Sequence, residues 1–268
     1  VYGRLAWDVL RETAMHNRVI IDRIDLTDCV MLKPYAVACL AALGAKRPGQ
    51  IELVLPQDAA CAEHLARMEL PQWFRCDRAP GVATRGTNVV ARQLKEHPGV
   101  FSDEVINVLS KELSLSVNIG RELSTHLDEV IINALTHAKS PIGCMVVGQA
   151  FPSFRRMQVA ILDLGQTIRG HLRANPAHAT ITDDEAAILL ATQEGVSGTP
   201  AGAKNSWGED NAGLGLFELR RYCEAGGGIL TIVSGSVFLT FDAARAPITH
   251  KLSEPFQGCL VNVQFFDR

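Results

Sequence analysis

Short apolar runs alternate along the chain with longer stretches in which apolar residues recur at helical spacing. Residues 18–22 (Arg-Val-Ile-Ile-Asp) and 51–55 (Ile-Glu-Leu-Val-Leu) are brief apolar runs between polar neighbours, which predicts strands. Pro34 to Leu43 lies between them, is rich in Ala and Leu, and runs into Gly44; this predicts a helix with a glycine stop. Asp58 to Met68 reads as another helix. Such an alternation predicts a small α/β layer with a right-handed crossover. Residues 76–100 carry several Gly and Pro breakers and read as a linker.

The second half opens with helical patterns. Ser102 is placed to cap a helix with Asp103 and Glu104 in its first turn. A further helix is expected over about 120–138. Runs at 142–150 and 156–163, separated by Pro152-Ser153-Phe154-Arg155, predict a hairpin. Thr182-Asp-Asp-Glu185 before Ala-Ala-Ile-Leu-Leu-Ala reads as a capping box entering an apolar helix. Residues 195–215 are rich in Gly, Ser, Asn and Asp, a composition expected of a mobile loop. A helix from Leu216 to Cys223 and strands at 228–234, 236–242 and 258–266 complete the pattern. Helices followed by hairpins predict α+β, with helices on one face of a mixed, mostly antiparallel sheet.

Composition narrows the class. Apolar residues make up 47% of the chain, enough for a proper core. The 26 Lys and Arg nearly balance the 29 Asp and Glu, which argues against binding nucleic acid through bulk positive charge. The seven cysteines are odd in number and lack zinc-ligand spacing, so reduced thiols in a cytoplasmic protein are expected. No apolar run has the length of a membrane span, and Val1-Tyr2-Gly3-Arg4 lacks the layout of a signal peptide.

Three stretches carry chemistry. Glu129, Asn133 and His137 recur every four residues, so a helix projects them from nearly one face, with Leu123, Leu127, Val130, Ile131 and Ala134 on the apolar side. A carboxylate there suits a general base, an amide oxygen suits Mg²⁺, and an imidazole suits a phosphate. Ile161-Leu162-Asp163-Leu164-Gly165 is an apolar strand ending in a carboxylate beside a glycine, a place to accept a bond from an exocyclic amine. Asn211-Ala-Gly213-Leu214-Gly215-Leu216 opens into a helix, where backbone N–H groups receive phosphate oxygens. It is neither a P-loop nor a dinucleotide fingerprint: no Gly-Lys-Ser/Thr follows and no strand precedes it.

Taken in this order, the three stretches resemble the motifs of the GHKL ATPase superfamily, which includes gyrase B subunits, heat-shock chaperones, histidine kinases and anti-sigma-factor serine kinases. Glu129-x3-Asn133-Ala-x2-His137 is similar to its N box, Asp163-Leu-Gly165-Gln-Thr167 to its G1 box, and Gly213-Leu-Gly215-Leu216 to its G2 box. Gly258-Cys259-Leu-Val-Asn-Val is similar to its terminal Gly-Thr strand. The resemblance spans about residues 102–268 and implies a Bergerat fold, an α/β sandwich holding ATP between helices and sheet. It implies that Glu129 polarises a water or hydroxyl, that Asn133 ligates Mg²⁺ and that His137 lies near the phosphates. Asp163 would hold the adenine amine, Gly165 would allow close approach, and residues from about 168 to 212 would form a lid. Gly213, Leu214, Gly215 and Leu216 would offer amides to the phosphates, with Asn211 beside them and Lys204 as the nearest lid cation. Thr167 replaces the usual second glycine of the G1 box, and Cys259 stands where Thr is usual. Arg220 and Arg221 read as surface helix charges, and no phospho-acceptor histidine motif sits on a dimerisation helix pair.

The first hundred residues resemble, more weakly, a STAS domain, on Val19-Ile-Ile-Asp22, the helix from Pro34 and Ile51-Glu-Leu-Val-Leu. The phosphorylatable Ser of that family is missing, and Thr27 lies too early to replace it. The chain thus reads as a STAS-like layer with linker over 1–100 and an ATPase-like sandwich over 101–268. Three functions follow from the resemblance: an ATP-hydrolysing switch whose lid controls a protein partner or a second copy, a serine/threonine protein kinase, or a non-catalytic nucleotide-gated interaction module.

Overall fold

The computed structural model of the chain describes residues 21–79, 89–95, 103, 105–107, 117–198 and 214–266. Strands β1 (Arg23–Asp25), β2 (Glu52–Val54) and β3 (Arg75–Cys76) form a parallel sheet in that order. Helices α1 (Pro34–Lys46) and α2 (Ala59–Arg67) connect them. The first strand begins at Arg23, later than the run expected at 18–22, of which residues 18–20 lie outside the described residues. Asp58 caps α2, its Oδ1 accepting from the Cys61 amide at 2.7 Å.

Gly44 does not stop α1, which continues to Lys46. A Cβ at residue 44 would lie 2.7 Å from the Trp73 Cβ and 2.8 Å from the Phe74 ring. The glycine is there for close packing against two aromatic side chains, a demand invisible in local sequence. Pro34 and residues 36–44 of α1 are all buried, as expected of a helix apolar on every side. One side of α1 meets the parallel sheet, and the other lies on the strands Cys144–Phe151 and Arg156–Asp163 of a second sheet.

That sheet comprises β4 (Val89–Leu94), β5 (Cys144–Phe151), β6 (Arg156–Asp163), β7 (Gly228–Phe241) and β8 (Ile248–Phe266). Its order is β4-β5-β6-β8-β7, and every pairing is antiparallel. β4 falls inside the stretch expected to be a linker. Its apolar residues do not alternate, and breakers flank it, so its sequence signal is weak; pairing with β5 from Val89 to Leu94 organises it. β5 and β6 form the expected hairpin, closed by a 3₁₀ turn over Pro152–Phe154.

Both faces of this sheet are covered, which explains the unbroken apolar runs. Met145, Val147, Ala160 and Leu162 point toward α1. Cys144, Val146, Val159 and Ile161 point toward a layer containing α3 (Val117–Thr136), α5 (Asp184–Ala191) and α6 (Gly215–Tyr222). The helices of the second half therefore share one face, as expected, while α1 occupies the other. Leu123, Leu127, Val130, Ile131 and Ala134 are all buried, so the apolar side of α3 is the one read from the sequence.

β7 is continuous, yet Thr231 Oγ1 and Thr240 Oγ1 lie 3.3 Å apart. Nine residues of straight strand would separate them by about 30 Å. The strand therefore folds back at Gly235, whose φ of 61° opens the turn. The runs expected at 228–234 and 236–242 are the two arms of this fold. α5 braces the turn: Asp184 Oδ2 accepts from the Ser236 amide and hydroxyl, each at 2.8 Å, while Arg169 Nε pairs with Oδ1 at 3.0 Å. The cap of α5 is Asp183, which accepts from the Ala186 amide, rather than Thr182. Asp183 starts the helix one residue later than the capping-box reading and releases Asp184 for the turn.

Candidate functional site

The sheet and the helical layer part at the C-terminal end of β6, leaving a cavity. Asn133 enters it from α3 and His137 from just past that helix's end, Asp163 from the end of β6, and Cys259 from β8. Thr167 precedes α4 (Ile168–Leu172), and Gly215 and Leu216 open α6; all three also line it. Four distant stretches of sequence thus converge on one cleft. Lys204, Asn211 and Gly213 lie outside the described residues, as do residues 199–212 of the expected lid. The described part of that lid, 168–198, forms α4, a 3₁₀ turn over Pro176–His178, and α5.

Asp163 is 3% exposed. In the sheet it pairs with Cys144 on one side and Cys259 on the other. Burial pushes its carboxyl up to about 7, opposed by the Gly165 and Cys259 amides that donate to it. The Gly165 bond is 2.8 Å. Burial and the Asp163 carboxylate in turn drive the Cys259 thiol well above its usual range. Gly165 does not line the cavity itself. A Cβ there would overlap the Ala138 carbonyl, and the next amide, Gln166, donates to that carbonyl at 2.7 Å. Glycine thus lets the end of β6 turn tightly beneath the end of α3.

Thr167 has a local job. Its hydroxyl caps α4 by accepting from the Gly170 amide at 3.1 Å. That hydroxyl therefore starts a short helix. The Ile168 amide donates to Ser234 Oγ at 2.9 Å, tying that helix to β7.

Glu129 is placed differently from Asn133 and His137. It does not line the cavity; its carboxylate accepts from the Gly215 and Leu214 amides at the start of α6. Burial raises its pKa, while His126 and these two amides pull it back down. Two of the four amides that the sequence offered to phosphate, those of Leu214 and Gly215, are engaged by this carboxylate. A Cβ at Gly215 would lie 2.7 Å from the Glu129 Cβ, so glycine lets α3 and α6 meet here. Arg220 and Arg221 stay out of the cleft: Arg220 pairs with Glu224 at 2.9 Å and covers the Phe241 ring, and Arg221 pairs with Glu218 at 2.6 Å.

The sequence reading missed His171. It stacks on His137 with ring centroids 4.7 Å apart and planes 22° apart. Burial lowers the pKa of both, and the His137 and Lys139 charges help hold His171 down to about 4. Both rings are therefore neutral at pH 7. Gln166 spans the pair, donating to the His137 carbonyl at 2.5 Å and lying 3.5 Å from His171 Nδ1. The available signal was a histidine one turn after the Thr167 cap, too slight without the fold. Among the described residues, no three His, Cys, Asp or Glu side chains gather to hold a metal ion. No model of a protein family, no curated protein and no solved structure matches the chain.

Proposed function

We propose that this cleft binds ATP with Mg²⁺, hydrolyses it, and uses closure of the lid expected over about 168–212 to control a protein partner. The observation supporting this reading is that one cavity gathers Asn133, His137, Asp163, Thr167, Gly215, Leu216 and Cys259 from four separate motifs. Asp163 supplies a buried acceptor at the floor for the amine of a purine. Asn133 supplies a single hard oxygen. Mg²⁺ is ordinarily held by one or two protein oxygens together with phosphates and water, so this fits an ion that arrives with the triphosphate. Phosphoryl transfer asks mainly for positioning and charge stabilisation; the metal would supply the latter, joined by the α6 amides once Glu129 releases them.

The engagement of Glu129 by the α6 amides supports a second reading, a nucleotide-gated interaction module that binds without turnover. Transfer to a partner's hydroxyl would use the same Glu129 and stands as a variant of the first reading. Calorimetry with ADP and a non-hydrolysable ATP analogue is expected to give binding in the micromolar range, weakened at least tenfold in Asp163→Ala. Steady-state phosphate release is expected to require Mg²⁺ and to fall sharply in Glu129→Ala. Equal release by Glu129→Ala and the natural chain would leave only the module reading. Absence of binding by either nucleotide would sink both.

A further inference from the structure

Away from the cleft, two cysteines face each other at the C-terminal edge of the parallel sheet. Cys29 lies in the turn between β1 and α1, its amide bonded to the Leu26 carbonyl at 2.8 Å. Cys61 lies in the first turn of α2, its amide held by the Asp58 cap. The Cys61 thiol donates to Cys29 Sγ at 3.9 Å, although the residues are 32 positions apart. We infer that Cys29 and Cys61 form a thiol pair that hydroperoxides oxidise to a disulfide.

Geometry assigns the order of events. Cys29 is 8% exposed and Cys61 only 2%, and the residues after Cys29, Val30 and Met31, face solvent. Cys29 is therefore the sulfur a small oxidant reaches first. The bond from Cys61 also draws its pKa below the ordinary thiol range, raising the fraction of reactive thiolate. The Cys29 thiolate attacks the distal oxygen of a hydroperoxide, forming an S–O bond as the O–O bond breaks, and the departing alkoxide takes up a proton as an alcohol. Cys61 Sγ then attacks the sulfenic sulfur of Cys29. The S–S bond forms, the S–O bond breaks, and hydroxide leaves as water with the Cys61 proton. Two thiols lose two electrons and two protons, and one hydroperoxide becomes alcohol and water. Closing the sulfurs from 3.9 Å to a bond of about 2.05 Å requires them to approach by about 1.9 Å. A small dithiol reverses the reaction by exchange.

The full chain is treated with hydrogen peroxide, then unfolded in an alkylating agent and digested. Two of its seven cysteines are expected to escape the label, and a peptide joining Cys29 to Cys61 to be recovered. A small dithiol is expected to restore full labelling. In Cys61→Ser, oxidation of Cys29 is expected to stop at a sulfenic acid that dimedone traps. The measurement on the natural chain needs no variant, so it stands even if Cys61→Ser fails to fold. Full labelling after peroxide overturns the inference, as does loss of label spread over the other cysteines or a disulfide joining a different pair.

Discussion

Asp163 gives the cleft floor its chemistry and weakens the fold that carries it. Below its ordinary pKa of 3.8 the carboxyl is protonated in both folded and unfolded chains. As pH rises from there to about 7, the unfolded chain releases the proton while the folded chain keeps it, so stability falls. Above 7 the folded state carries a buried charge at a cost on the order of 4 kcal/mol. His171 works the other way: its pKa is lowered to about 4, so its contribution is lost as pH falls from 6.5 toward 4. Comparing Asp163→Asn with the natural chain separates the two, since His171 is common to both. The variant is expected to be the more stable at pH 8 by several kcal/mol and to lose that advantage by pH 4, measured by urea unfolding. A constant difference across pH would show that Asp163 is ionised throughout. The sequence identified Asp163 because a carboxylate ending an apolar strand is conspicuous. His171 stayed hidden because its partner is 34 residues away, a distance that only the fold closes.

At the scale of elements, the turn in β7 depends on α5. Asp184 meets the Ser236 amide and hydroxyl on one oxygen and Arg169 on the other, and it is 7% exposed. Removing one member of such a buried charge network leaves the others unpaired, at a typical cost of about 3 kcal/mol. Asp184→Ala is expected to lose that much in denaturant unfolding. Ser236→Ala, which keeps the amide bond, is expected to lose about 1 kcal/mol. Equal losses would place the work in the Ser236 hydroxyl alone. The two arms were legible as apolar runs on either side of Gly235, and β5 and β6 as a hairpin. β4 was not legible, because an edge strand with little alternation takes its conformation from its neighbour. The end of α1 was misread because Gly44 answers to Trp73 and Phe74, far along the chain.

At the scale of the molecule, α1 joins the two sheets through one continuous hydrophobic cluster. A chain limited to residues 101–268 would lose it and expose Met145, Val147, Ala160, Leu162 and Leu260 together. A contiguous apolar face of that kind drives association. The fragment is expected to aggregate or bind a hydrophobic dye, while the full chain stays monodisperse in light scattering. A soluble, cooperative fragment would show that the sandwich is complete without the first layer. The sequence showed α1 as a helix rich in Ala and Leu, but not the two surfaces that bury it. The double cover has a mechanical consequence for the cleft. Close-packed interiors yield little under load, and the strand bearing Asp163 is clamped between α1 behind and the helical layer in front. The floor is therefore stiff. Compliance is left to the roof, where the single turn of α4 is held by a capping hydroxyl, one bond to Ser234, the bonds of Arg169 to Asp184 and the Thr182 carbonyl, and a pair of stacked rings. Any guest that fits this cleft is accommodated by adjusting the roof over a fixed floor.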